Sequence, residues 1–158
     1  MTTKTLNISE EQLVDYSKAH NEPSWMTELR KKALKLTETL EMPKPDKTKL
    51  RKWDFDTFKQ HHTTGDSYHQ LTDLPKSVKE IIDVANSENL IIQHNNELAY
   101  TQVSDQAKHD GVIIEGLSEA LVNHSDLVQK YFMTKAVNVD EHRLTALHTA
   151  LVNGGIFV

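Results

Sequence analysis

Three features of this 158-residue chain predict an α+β fold. Helical apolar stripes lie near both ends, one hairpin pattern lies between them, and a Gly-Gly step close to the C-terminus leads into an apolar run. The predicted architecture is a helical N-terminal arm, a small α+β unit with a short antiparallel hairpin, and a last helix feeding the start of a strand. By range, the arm takes residues 1–45, an irregular linker 46–74, and the α+β unit 75–158.

The arm opens at Ser9, a predicted N-cap, with Gln12 three residues on to complete a capping box. Ile8 and Leu13 occupy the two positions of a hydrophobic staple, and this first helix is expected to end near His20. A second helix is expected from Pro23, read as N1, where a missing N–H costs nothing. Trp25, Leu29, Ala33, Leu36 and Leu40 form its apolar stripe, and Arg30, Lys31, Lys32 and Lys35 fall off that stripe. Met42-Pro43-Lys44-Pro45 ends the helix and starts a stiff, lysine-rich linker, because residues before proline avoid the α region.

Trp53 to Leu74 has no clear period and reads as loop with a short strand or turn. Helical spacing returns over Pro75–Ala85 through Val78, Ile81, Ile82 and Ala85. Leu90–Val103 is the most β-like stretch, and Asn95-Asn96 within it suits a tight turn that needs positive φ. Gly111–Ile114 is read as a third short strand, Leu117–Asn123 and Asp126–Met133 as helices, and Ser125 as the cap between them. Asn138 is expected to cap the last helix with Glu141, while Leu144, Leu147 and Leu151 line its apolar face. Gly154 is expected at C′, and Gly155 with it turns the chain. Ile156, Phe157 and Val158 then begin a strand with no partner visible in the sequence. Such an edge invites aggregation, so the chain is expected to be part of something longer, and to self-associate through that strand or leave it disordered.

Composition narrows the function. A net charge of −5 argues against nucleic-acid binding, which needs a basic surface. Charge is uneven, however: residues 28–59 hold ten Lys and Arg against six Asp and Glu. A run of that kind is ordinarily a solvated helix face. No cysteine is present, so thiolate chemistry and every Cys-ligated metal or cluster site are excluded for these residues. No eighteen-residue apolar run spans a membrane, and the N-terminus lacks an apolar signal core, so a cytoplasmic protein is expected.

Two stretches carry a resemblance. Tyr131-Phe-Met-Thr-Lys-Ala-Val137 followed by Leu144-Thr-Ala-Leu-His-Thr-Ala-Leu-Val-Asn-Gly-Gly-Ile-Phe-Val158 closely resembles the SufB/SufD family of iron–sulfur cluster assembly proteins. Asn21-Glu-Pro-Ser-Trp-Met-Thr-Glu-Leu-Arg-Lys-Lys-Ala-Leu34, continuing to Pro43-Lys-Pro45 and Trp53, resembles it again. The Ala33-Leu34 continuation and the Pro-Lys-Pro spacer are more similar to the SufD branch. The resemblance implies that a right-handed parallel β-helix follows, its first strand beginning at Ile156. It also implies a non-catalytic scaffold subunit that works with a SufB-like scaffold and a SufC-like ABC ATPase. The implied cluster is handled by the whole complex, with no cofactor held by these residues.

Chemistry-bearing constellations are few. Nine histidines invite a metal reading, above all His61-His62 with His69, Asp66 and Asp73, yet adjacent loop histidines do not converge on one ion and no His-x3-His turn exists. His142 and His148 are six residues apart and so lie on different helix faces; His148 is read as half-buried packing beside Leu147, with partner contact as its second reading. Gly154-Gly155 follows a helix and cannot be a phosphate loop. No nucleophile elbow and no paired catalytic carboxylates are found, so no catalytic or metal site is assigned. The candidate partner contacts are Trp25, Arg30, Lys31 and His148, and the structural positions of the motif are Pro23, Trp25, Gly154 and Gly155. Trp25 and Trp53 are the two tryptophans to examine for binding; Trp25 is read first as docking the arm on its own domain and second as a binding anchor, tryptophan and arginine being common hot-spot residues. Two rival readings stand beside the scaffold. One is a self-standing interaction domain whose basic arm binds an acidic partner with steep salt dependence. The other is a metal enzyme on the His61–Asp73 loop, which predicts bound metal after purification.

Overall fold

A computed structural model describes residues 7–50, 53–55, 67–82 and 87–158. The chain divides into two compact units, one formed by 1–61 with 121–152 and the other by 62–120 with 153–158. In the first unit the last helix, far from the arm in sequence, lies against the arm's second helix. No helix among the described residues is long and apolar enough to cross a membrane.

In the first unit, α1 (Glu10–Ala19) begins as expected. Ser9 Oγ accepts the Gln12 N–H at 3.2 Å, and Gln12 Oε1 accepts the Ser9 N–H at 2.8 Å. Its end carries a motif that the sequence reading missed. Asn21 takes a left-handed φ of 53°, the Glu22 N–H reaches Ser17 O at 2.9 Å, and the Asn21 N–H reaches Lys18 O at 3.2 Å. This is a Schellman motif with asparagine at C′, and it turns the chain straight into α2 (Ser24–Thr39). Pro23 is the N-cap residue of α2 rather than N1, a shift of one position.

The expected start of the last helix, α7 (Arg143–Leu151), is corrected: Asn138 is not its cap and Glu141 closes no box. His142 Nδ1 accepts the Thr145 N–H at 3.1 Å, and Thr145 Oγ1 accepts the His142 N–H at 3.1 Å. The histidine does what serine does elsewhere, so a reader scanning for Ser, Asn or Asp passes over it. α6 (Ser125–Tyr131) likewise starts one residue early, with His124 as N-cap in place of Ser125. Leu13, Ala33, Val139 and Ala150 are buried together, with Ile8, Leu29, Leu34, Leu36, Met133 and Leu151 against them. The staple pair Ile8 and Leu13 therefore joins the core of this unit.

In the second unit, a 3-10 turn (Leu71–Asp73) and α3 (Lys76–Lys79) precede the hairpin. α3 is shorter than Pro75–Ala85; Ile81 is 85% exposed, and Ala85 lies outside the described residues. β1 (Leu90–His94) and β2 (Glu97–Gln102) form the expected antiparallel hairpin around Asn95, whose φ is 57°. A bulge between Ile92 and Gln93 shifts the register.

Gly111–Ile114 is not a strand. Ser104 caps an unforeseen helix, α4 (Asp105–His109), by accepting the Ala107 N–H at 3.2 Å, and Gly111 follows it at φ 78°. The strand comes later, as β3 (Glu115–Gly116), and leads directly into α5 (Leu117–Asn123). β4 (Ile156–Phe157) pairs antiparallel with β3, so the expectation of a partnerless strand is corrected as well. Its partner is a two-residue strand ending at a glycine, too short to carry a period-two signal.

Candidate functional site

The sequence nominated Trp25, Arg30 and Lys31 on α2 and His148 on α7, and all four belong to the first unit. Arg30 is the centre of the arrangement, and its burial takes it out of the solvated basic face, on which Lys32 and Lys35 remain exposed. Its side chain is 2% exposed and that of Glu22 6%. Arg30 Nε donates to Glu22 Oε2 at 2.8 Å, and Nη2 donates to Glu22 Oε1. Nη1 donates to Ala150 O at 3.0 Å, and Nη2 also donates to Val152 O at 2.7 Å. Ser17 Oγ donates to Glu22 Oε2 at 2.8 Å, and the Tyr16 ring lies 5.0 Å from the guanidinium carbon.

Local structure explains how these groups converge. The left-handed Asn21 places Glu22 beside Ser17, so the carboxylate sits at the turn that α2 leaves. Eight residues further on, Arg30 points back at it, and the end of α7 brings the Ala150 and Val152 carbonyls to the same spot. The positive guanidinium meets the negative end of α7, which favours the contact. The bidentate Arg–carboxylate fork is the strong form of such a pair. This set of groups can hold α1, α2 and α7 in one geometry.

Lys31 is partly withdrawn from solvent by its own partners. Nζ lies 3.1 Å from Glu28 Oε1 and 3.3 Å from Glu10 Oε1, so one ammonium joins α2 to α1. Glu28 first, then Glu10, holds the Lys31 ammonium above its ordinary pKa. The Lys31 hydrogen bond holds the Glu10 carboxyl below the usual carboxylate range. A lowered Glu10 contributes stability above its unfolded pKa, and that contribution is lost as pH falls through the folded value. In Lys31→Met, acid titration of the unfolding midpoint is therefore expected to be shallower than in the parent, and more so at low salt because both groups still reach solvent.

Trp25 is half-buried, and its Nε1 donates to Ser125 Oγ at 2.8 Å. The docking reading of this residue is thus given a specific partner at the start of α6. Trp25→Phe is expected to lose about 0.5–1.5 kcal/mol by urea unfolding, the net worth of one hydrogen bond. The same loss is expected in Ser125→Ala, with little added in the double variant.

His148 is exposed, between the buried Leu147 and Thr149, so the half-buried packing reading is corrected. Trp53 is 61% exposed and stacks on Phe55 at 5.8 Å between ring centroids. His61, His62 and Asp66 lie outside the described residues, and His69 and Asp73 are exposed. Among the described residues no three His, Asp or Glu side chains gather as a metal site would require.

Gly154 and Gly155 belong to the second unit. Gly154 is not the C′ glycine of α7. That helix ends at Leu151, and its C-cap Val152 is already extended at φ −56° and ψ 128°. What Gly154 provides is space: a Cβ there would stand 2.1 Å from the backbone oxygen of Asn96, at the hairpin turn. Asn96 Nδ2 also donates to Asn153 O at 2.9 Å. Gly155 takes a φ of 139°, which favours glycine, and its carbonyl accepts the Leu117 N–H at 2.9 Å beside the β3–β4 pair.

Residues 9–158 match the family model described as the SufBD protein N-terminal region. The chain is 45% identical over 154 residues to the iron–sulfur cluster assembly protein SufD of Bacillus subtilis, covering 97% of this chain and 35% of that protein. It is 29% identical to a SufBD family protein of Mycobacterium bovis, over 96% of this chain and 19% of the relative. It is 28% identical to one of Pyrococcus horikoshii, over 96% and 36%. The chain thus spans about a third or less of the length of these relatives. No solved structure matches. With nearly the whole chain inside the family model, and the likeness to SufD well above that to the other two, the protein belongs to the SufB/SufD family, within its N-terminal region.

Proposed function

We propose that this chain is the N-terminal region of a SufD-like, non-catalytic scaffold subunit of a cytoplasmic iron–sulfur cluster assembly complex. The reading rests above all on its 45% identity to a SufD protein across 97% of its length. The expected companions are a SufB-like scaffold and a SufC-like ABC ATPase, which supplies the ATP hydrolysis. A parallel β-helix is expected to follow β4 in the full-length protein. The cluster is cargo of the assembly. With no cysteine in these residues, thiolate ligands to it come from elsewhere in the full-length chain or from a partner.

Burial of Arg30 weighs against the rival basic-arm reading, since that charge is engaged inside its own unit. Lys31 and Lys35 also have carboxylate neighbours, with Lys35 3.5 Å from Glu10. The test is affinity capture of the full-length protein from its source cells, read by mass spectrometry. An ABC ATPase and a second scaffold-like chain are expected at stoichiometric yield. Capture of the protein alone, or with neither companion, would sink the proposal.

A further inference from the structure

The sequence holds a single Asn-Gly step, Asn153-Gly154, and the second unit surrounds it in a specific way. An Asn-Gly step is chemically labile. The backbone nitrogen of the glycine attacks the asparagine Cγ and forms a C–N bond, and the side-chain amide leaves as ammonia. Water then opens the cyclic imide to aspartate or isoaspartate. Rotation about the Asn153 Cα–C bond, one of the torsions that bring the glycine nitrogen to Cγ, swings the Asn153 oxygen and the Gly154 nitrogen together.

Both ends of that peptide are restrained by one residue. Asn96 Nδ2 holds the Asn153 oxygen at 2.9 Å, and the Asn96 backbone carbonyl lies so close to Gly154 that even a Cβ would stand 2.1 Å from it. Asn96 is itself fixed by the hairpin, where His94 pairs with Glu97. On the far side, the Gly155 carbonyl accepts the Leu117 N–H at 2.9 Å and Ile156 pairs with Gly116. Rotation of the 153–154 peptide therefore breaks the Asn96 bond, on the side where Gly154 already lies close to the hairpin turn.

We infer that Asn153 is a latent deamidation site and that Asn96 protects it. Conversion to isoaspartate adds a methylene to the main chain three residues before β4, and conversion to either acid adds a negative charge. Both changes act beside Gly154, where the Asn96 backbone leaves no space for a Cβ. Loss of the Asn96 contact thus opens a route to irreversible ageing of the β3–β4 junction.

The test incubates the full-length protein at neutral to mildly alkaline pH. Peptide mass spectrometry reads amide-to-acid conversion at Asn153, and isoaspartyl methyltransferase labelling reads isoaspartate. Folded parent, urea-unfolded parent, Asn96→Ala and Asn96→Asp are compared, with hydrogen exchange across 90–102 confirming that each variant retains the hairpin. The folded parent is expected to convert much more slowly than the unfolded chain. Both variants are expected to convert about two- to tenfold faster than the parent, the factor that one net hydrogen bond represents. A folded parent that converts as fast as the unfolded chain would overturn the inference. So would folded variants that convert no faster than the parent. A variant that loses the hairpin leaves the folded-against-unfolded comparison of the parent to decide.

Discussion

Arg30→Ala is expected to destabilise the protein by about 3–5 kcal/mol, measured as the urea unfolding midpoint. The magnitude follows from what remains behind. With the guanidinium gone, the Glu22 carboxylate is left 6% exposed without its countercharge, and the carbonyls of Ala150 and Val152 lose a buried donor. Each unsatisfied polar group of that kind is costly in a low-dielectric interior. Arg30→Lys is expected to recover only part of the loss, because one ammonium cannot reproduce a planar fork that reaches two carboxylate oxygens and two carbonyls. Glu22→Gln keeps a hydrogen-bonding side chain in place and is expected to cost less than Arg30→Ala. A near-normal midpoint for Arg30→Ala would mean that the site opens to water, and the account of α2 locked to α7 would be wrong. Hydrogen exchange across Thr145–Leu151 should rise with the loss, since that helix end is what Arg30 holds.

Gly154→Ala is expected to cost about 1–3 kcal/mol, as overpacking does when the obstructing atom cannot step aside. The atom it meets is backbone oxygen of Asn96, held in a hairpin turn, and not the end of a flexible side chain. Relief requires separating the turn from residues 153–154, which also breaks the Asn96–Asn153 hydrogen bond. Faster amide exchange is expected at Asn96 and Glu97 together with the drop in midpoint. An alanine variant as stable as the parent would show that the turn yields freely, and would also weaken the protective role assigned to Asn96.

The sequence was most legible where a signal acts over three or four residues. Ser9 with Gln12 located α1, and the Asn95-Asn96 pair located the hairpin, because each side chain or backbone angle answers to its immediate neighbours. Family membership was legible for a related reason, since its motifs are contiguous runs. Misses at this range came from residue types outside the usual set. His142 caps α7 with an imidazole nitrogen, Asn21 ends α1 where a glycine is the commoner signal, and Ser104 opens a helix of only five residues.

Arg30 could not be read locally at all. On a helical wheel it falls outside the Trp25–Leu40 stripe and counts as one more exposed cation among the lysines. Its partners lie 8 residues away at Glu22, 120 at Ala150 and 122 at Val152. Only their assembly turns a charged residue into a buried one, because the desolvation of arginine is offset when every donor finds an acceptor. Gly154 is the same case in steric form: an Asn-Gly-Gly run after a helix predicts a stop, whereas the hairpin turn brought against it makes any side chain too large. By itself the sequence determined the α+β order, the cap of α1, the hairpin and the family, all of which depend on neighbours along the chain. The tertiary structure alone decided which charge is buried, which glycine is obligatory and what pairs with the closing strand, because those depend on groups that meet only after folding.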